Sequence, residues 1–300
     1  MEIEEALEKI KENNMKRIFV QLPEGLIPKY EEIAKKFENF GLIPVISIET
    51  TFGYCDIRED EALKLGCEAI VHFGHNNFGF ENIVTKIPVY IVESYIKEYN
   101  ENVLNEIIKK INNDENVGIV YSLQYKIIAE KILIKLKERK IKAKMLGQIL
   151  GCNLSSILKD NSTQKIFIIS SGKFYGLYPS LKSEKTIYLV DVERGLVLDL
   201  KKEAQKIIKI KEWNKKIFAE SKKVGLLVSW KKGQIKNWEE TYLRLKNSGK
   251  DVYILAFDEL EEKMLEGIKL DVLINLACPR IGVDDICRFK IPILNLDDIL

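Results

Sequence analysis

The residues of this chain best suited to chemistry are its five cysteines, at positions 55, 67, 152, 278 and 287. They are odd in number and widely scattered, in a 300-residue chain too large to need disulfide staples. The expectation is reduced thiols that are buried, reactive or metal-bound. Cys55 lies in TFGYCD, Cys152 in GQILGCN and Cys278 in LACPR, all rich in small residues and turn formers. Gly53, Gly151 and Pro279 suit tight loops that bring backbone close to a metal group. Cys67, in LGCEAIVHFG, leads straight into an apolar run and reads as a small buried hydrophobe. Cys287, in DDICRFKIP, reads the same way, on a short helix with Ile286 and Phe289. No CxxC occurs, which excludes the compact zinc patterns, and the CxxxCxxC run of ordinary radical S-adenosylmethionine enzymes is missing. Spacing alone leaves two readings open: one shared metal site, or three separate buried thiols.

His72 and His75 are the only histidines. Three positions apart on or near a strand, they are expected on opposite faces, with His72 in the core and His75 facing the ligand side.

These residues need elements to hold them. The chain offers short apolar runs separated by helical stretches. The first third has 17–22, 44–49, 69–74 and 88–93; the second has 116–122, 143–148, 165–170 and 186–191; the last has 223–229, 251–256, 271–277 and 292–297. Runs this apolar suit strands covered on both faces. Between them, Tyr30, Ile33, Ala34 and Phe37 share one helical stripe, as do Ile128, Ile132 and Leu136. Alternation of strand and helix predicts right-handed βαβ units, and a period near a hundred residues predicts three similar α/β domains. Each is expected to be a mainly parallel four-stranded sheet flanked by helices, with one cysteine of each able to meet the others at a central point. The boundaries are placed at 1–105, 106–205 and 206–300, with joints in the charged helical stretches near 97–115 and 198–222. Ligands in such folds collect beyond the carboxyl ends of strands. Cys55 follows the second run of its third by six residues, Cys152 follows the second of its own by four, and Cys278 directly follows the third of the last.

Composition narrows the function classes. Lys and Arg total 47 against 45 Asp and Glu, a net charge of +2, so no global field favours nucleic acid or an anionic membrane. Most lysines lie beside glutamates in helical segments and read as solvated faces. The opening MEIEEALEKIKENN is charged and helical, without the apolar core of a signal peptide, and no apolar run approaches a membrane span. A cytoplasmic protein is expected. Neither GxGxxG nor a P-loop is present, so the usual phosphate cradle is missing.

Several segments together carry a family resemblance: QLPEGL (21–26), TFGYCD (51–56), IVHFGH (70–75), IPVYIVE (87–93), GQILGC (147–152), KKGQ (231–234) and NLACPRIGVDD (275–285). Running nearly end to end, the chain resembles the archaeal 2-(3-amino-3-carboxypropyl)histidine synthase family, which performs the first step of diphthamide synthesis. The resemblance implies three homologous α/β domains in a homodimer, around a central cluster site where Cys55, Cys152 and Cys278 hold one 4Fe–4S cluster. A cubane cluster normally takes four thiolates, so three leave one iron open for a substrate. In the resembled family that iron engages S-adenosylmethionine, and an electron from a donor breaks the bond from sulfonium to the methionyl γ-carbon. Methylthioadenosine leaves, and the 3-amino-3-carboxypropyl fragment attaches to a histidine of translation elongation factor 2.

The same resemblance makes Arg280, Gln234 and His75 candidates for contacts with S-adenosylmethionine. Arg280 suits the methionyl carboxylate and Gln234 a carboxylate or ribose. Their plainer readings are a surface ion pair for Arg280 and a solvated loop residue for Gln234. Asp284 and Asp285 read as caps of a following helix. NNFGFENIVTK and KFYGLYPS match the family only loosely. Two rivals remain: an iron–sulfur dehydratase of the quinolinate synthase type, and a non-catalytic iron–sulfur electron carrier.

Overall fold

A computed structural model describes residues 1–300. The chain packs as two compact units, Met1–Ile96 with Lys231–Gly233, and Lys97–Trp230 with Gln234–Leu300.

The first unit is built on strands β1 (Arg17–Gln21), β2 (Ile43–Ile46), β3 (Ala69–Phe73) and β4 (Val89–Val92), in the order β2-β1-β3-β4. All pairings are parallel. Residues Ile18–Gln21 and every residue of β3 are buried, because helices and loops cover both faces of the inner strands. Helices α1 (Ile3–Glu12) and α2 (Tyr30–Asn39) bring Ala6, Leu7, Ile10, Ile33 and Phe37 into one core with Ile18, Val20 and Val71. Tyr30 departs from the expected stripe and is exposed, since it begins α2 where the preceding 3-10 turn ends. On the other face Phe19, Tyr54, Ile57, Ala62, Cys67 and Ile70 pack together, with Ala62 supplied by α3 (Glu59–Lys64).

The second unit contains two sheets. One comprises β5 (Val117–Tyr121), β6 (Ala143–Gln148), β7 (Lys165–Ile169), β8 (Thr186–Asp191) and β9 (Leu196–Asp199), in the order β6-β5-β7-β8-β9. The other comprises β10 (Lys223–Ser229), β11 (Asp251–Phe257), β12 (Val272–Asn275) and β13 (Ile293–Asn295), in the order β11-β10-β12-β13. All three sheets thus share one wiring, in which the chain passes from the first strand to an edge and returns to its other side. That reversal is the topological switch at which open α/β sheets place ligands.

The twelve expected strands form within a few residues of their predicted bounds, and β9 is added to them. It turns back antiparallel on β8 through Gly195, whose φ of 69° lies in the left-handed region. Helices α4 (Asn102–Ile108), α5 (Lys126–Glu138), α6 (Ser155–Leu158) and α7 (Lys173–Lys182) flank this five-stranded sheet. The expected stripe of α5, Ile128, Ile132 and Leu136, is fully buried. The long α8 (Lys201–Glu220) packs on α7 and also against β12 and β13, tying the two sheets of this unit together. Its Asn214 side chain donates to the Ile293 carbonyl at 3.0 Å. Helix α9 (Glu239–Asn247) covers β11 with Leu245 in the core of the last sheet.

Candidate functional site

Cys55 sits in the first unit, in a loop that follows the edge strand β2. The strand ends at Ile46, earlier than expected, and Ser47 and Thr51 still donate to the carbonyls of Val20 and Leu22. One 3-10 turn, Tyr54–Asp56, then presents the cysteine. Gly53 has a φ of 169°, extended backbone open to any residue, and an added Cβ there would touch the Cys55 sulfur at an ordinary 3.5 Å. The expected need for glycine at 53 therefore does not arise from conformation or space. What fixes the turn is polar. Gln21 Nε2 donates to the Asp56 carbonyl at 3.0 Å, and the Arg58 N–H donates to Gln21 Oε1 at 3.2 Å. Lys231 Nζ meets Asp56 Oδ2 at 3.0 Å, with both side chains buried. The Gly233 N–H donates to the Cys55 carbonyl at 3.0 Å. Lys232 pairs with buried Glu59, which also accepts the N–H groups of Lys86 and Ile87. Burial pushes the Glu59 carboxyl up, but Lys232 and those two donors outweigh it and hold it below its ordinary range.

His72 and His75 lie in the same unit and correct the expectation of opposite faces. Their rings meet, with His72 Nε2 at 3.2 Å from His75 Nδ1. Strand alternation stops at Phe73, and Gly74, with a φ of 81°, folds the chain back so that His75 returns over His72. Tyr54, next to Cys55, meets His72 edge-on at 5.8 Å between ring centroids. Beside His75, Glu93 accepts from Asn76 and Tyr95 at the carboxyl end of β4.

In the second unit Cys152 occupies the tip of a tight turn after β6. Leu150 and Asn153 exchange backbone hydrogen bonds of 3.3 and 3.1 Å across Gly151 and Cys152. An added Cβ on Gly151 would come within 2.1 Å of the Phe174 ring, so glycine is required there by close approach. Phe174 comes from α7, the segment KFYGLYPS that matched the family only loosely.

Cys278 follows β12 and begins the 3-10 turn Pro279–Gly282. Two buried asparagines prop it. Asn275 Nδ2 donates to the Cys278 carbonyl at 2.8 Å and to Asn295 Oδ1 at 2.7 Å, while Asn295 Nδ2 donates to the Pro279 carbonyl at 2.9 Å. The two residues are register partners on β12 and β13. Cys152 is exposed as a residue, yet burial by the protein around its thiol pushes the pKa up to about 11, and the nearby Cys278 adds to the rise. Lys236 acts in the opposite direction. Cys152 and Cys278 are thus brought within electrostatic range of one another. Within either unit, no three His, Cys, Asp or Glu side chains form a ready metal-binding group.

Arg280 donates from Nε to Asp284 at 3.0 Å on an exposed face, the plainer of its two readings. Gln234 follows the Lys231–Gly233 segment and returns to the second unit. Cys67 is buried, and burial raises its thiol pKa. Cys287 corrects the expectation: it is exposed, because residues 283–289 form successive turns rather than a helix and only Val283, Ile286 and Phe289 reach the core. Asp284 and Asp285 therefore cap no helix; they pair with Arg280 and Arg288. Sequence reading also missed Gln21, Asp56, Asn275, Asn295 and Lys231. For Gln21, Asn275 and Asn295 the available signal was a polar residue interrupting or ending an apolar run, as in RIFVQL, VLINLA and ILNLD; Asp56 and Lys231 carry no such signal.

The fold and these turns define a triplicated α/β protein that carries one turn-held cysteine beyond a strand end of each sheet. The family model for diphthamide synthesis proteins matches residues 22–299, and the chain belongs to that family. It is 27% identical to the 2-(3-amino-3-carboxypropyl)histidine synthase of Pyrococcus horikoshii, over 97% of this chain and 86% of that protein. It is 28% identical to the protein of the same name from Methanocaldococcus jannaschii, over 96% of this chain and 84% of that one. The crystal structure of Dph2 from Pyrococcus horikoshii with a 4Fe–4S cluster superimposes with a TM-score of 0.85 at 25% identity, covering 99% of this chain and 88% of that one.

Proposed function

We propose that this protein catalyses the first step of diphthamide biosynthesis, moving a 3-amino-3-carboxypropyl group from S-adenosylmethionine to a histidine of translation elongation factor 2. The observation that carries this reading is the near end-to-end match to synthases of that name, with a cysteine turn beyond one strand end of every sheet. Neither the dehydratase nor the electron-carrier reading gains support from any relative found.

We assign Cys55, Cys152 and Cys278 as the thiolates for a 4Fe–4S cluster. The donor set fits: soft sulfur ligands on turns fixed by backbone and asparagine hydrogen bonds, two of them, Cys152 and Cys278, close enough for their charges to interact. A cluster held by these three thiolates would supply the electron and a position for the sulfonium. The chain's own residues aim the co-substrate: Arg280 is assigned to its carboxylate, Gln234 to a carboxylate or ribose oxygen, and His75 to the ligand side of the same site. The three lobes are taken as 1–105, 106–205 and 206–300, and the working form as a homodimer supplied by a separate electron donor. No helix is long and apolar enough to cross a membrane.

Anaerobic incubation with S-adenosylmethionine, a reductant and the elongation factor tests the reading. The expected result is a 3-amino-3-carboxypropyl addition on the factor's histidine-bearing loop, with methylthioadenosine as the nucleoside product. An unmodified loop with 5′-deoxyadenosine as product would overturn it.

A further inference from the structure

The segment Lys231–Gly233 belongs to the first unit although its neighbours on both sides, Trp230 and Gln234, belong to the second. It adds no aliphatic side chain to a core. Its contacts are polar and converge on the turn that carries Cys55. Lys231 is 6% exposed and Asp56 2%, and their charged atoms meet at 3.0 Å. The Lys231 ammonium also lies 5.6 Å from the centroid of the Phe52 ring, three residues before Cys55. Lys232 reaches the carboxylate of Glu59 and, at 3.2 Å, the Val84 carbonyl. The Gly233 amide holds the Cys55 carbonyl itself, and a Cβ at 233 would stand 2.4 Å from both Cα and Cβ of Cys55.

A buried cation spent on one short turn, with a half-buried second one on the helix just after it, is a poor way to gain stability, because desolvation offsets much of the attraction. Buried ion pairs do specify geometry, since a misplaced partner leaves a charge stranded in the interior. The turn is therefore gripped from two sides, by Gln21 from the end of β1 and by the Lys-Lys-Gly segment across it.

We propose that Lys231 is a positioning residue for Cys55, its pair with Asp56 and the Gly233–Cys55 hydrogen bond fixing where the thiol is presented. The inference rests on the assignment of Cys55 to the cluster only for its catalytic consequence; the placement of the thiol exists without metal.

The test uses the full chain, metal-free, with iodoacetamide alkylation followed residue by residue by mass spectrometry. Lys231→Met is expected to raise the rate at Cys55 about tenfold by loosening the turn, while the rates at Cys67 and Cys152 hold. After reconstitution, the electron paramagnetic resonance g-values of the reduced cluster should shift. A folded Lys231→Met protein with the parent rate at Cys55 and the parent spectrum would overturn the proposal. Should that variant fail to fold, Asp56→Asn/Lys231→Met removes both members of the pair. Parent alkylation and spectrum in the folded double variant would assign the pair to stability alone and equally overturn it. Full cluster content in Cys55→Ser would instead defeat the ligand assignment, leaving the alkylation result to stand by itself.

Discussion

His72 Nε2 lies 3.2 Å from His75 Nδ1, and His72 is completely buried. Burial, assisted by the neighbouring His75, lowers the pKa of His72 to about 3; burial lowers His75 to about 4 against the opposing Phe73 backbone bond. Both rings are neutral at pH 7. In the unfolded chain they protonate near 6.5, so below that value the unfolded state binds more protons. Their contribution is complete above about pH 6.5 and is lost as the pH falls, toward about 4 for His75 and about 3 for His72. Urea titrations should show a loss of about 2 kcal/mol from His72 between pH 7 and 5, reduced in His72→Gln. The ring resonances of the folded protein should stay flat over that range. A titration midpoint near 6.5 in the folded state would contradict the assignment.

The three proposed ligands and the two remaining cysteines should part cleanly on substitution. Cys55→Ser, Cys152→Ser and Cys278→Ser are each expected to abolish a stable cluster, whereas Cys67→Ala and Cys287→Ala retain it. Cys67 packs with Phe19, Ala62 and Ile70, so its truncation should cost about 1 kcal/mol. Cys287 is exposed and its loss should leave stability unchanged. Iron and sulfide content after anaerobic reconstitution, with a denaturation curve for each variant, checks both statements.

Gly151→Ala tests whether the turn after β6 is set by close packing. The new methyl group would meet the Phe174 ring at 2.1 Å, and that ring lies in a core with Leu177, Tyr178 and Leu200. Either the ring or the turn must move, at a cost of about 1–3 kcal/mol. The expected result is a lowered urea midpoint together with reduced cluster content. Gly53→Ala, with ordinary space around its Cβ, should change neither.

Much of this was legible in the sequence because it is encoded locally. Runs such as KIFIIS and KVGLLVS specify buried strands by composition alone, and the glycine or proline beside each of Cys55, Cys152 and Cys278 announces a turn. Strand β9 was missed because GLVLDL runs directly into the Lys-rich start of α8 and reads as part of that helix. The histidine contact was missed because alternation was carried past Phe73, where Gly74 ends it. The pairing of Lys231 with Asp56 spans 175 positions, and no local pattern reports which charges are buried together. Asn275 and Asn295 declare themselves only once β12 and β13 are known to be neighbours in register.

Lys211 offers a buried ion pair in the second unit. Its ammonium lies 2.8 Å from the Asp298 carboxylate, with both side chains 7% exposed, and it joins α8 to the last turn of the chain. Asp298 also accepts the Asn295 backbone N–H at 3.0 Å in a capping box, and Asn295 in turn holds the Pro279 carbonyl beside Cys278. Lys211→Met leaves that carboxylate with only the distant Lys182, at 3.9 Å, for ionic compensation. Breaking one side of a buried pair costs about 3–5 kcal/mol, and a fall of that size in urea denaturation is expected. Lys211→Met/Asp298→Asn should recover a large part of it, because the stranded charge is gone while an amide can still serve the cap. Equal losses in the single and double variants would show that the aliphatic stem of Lys211, rather than its charge, holds α8 against β13.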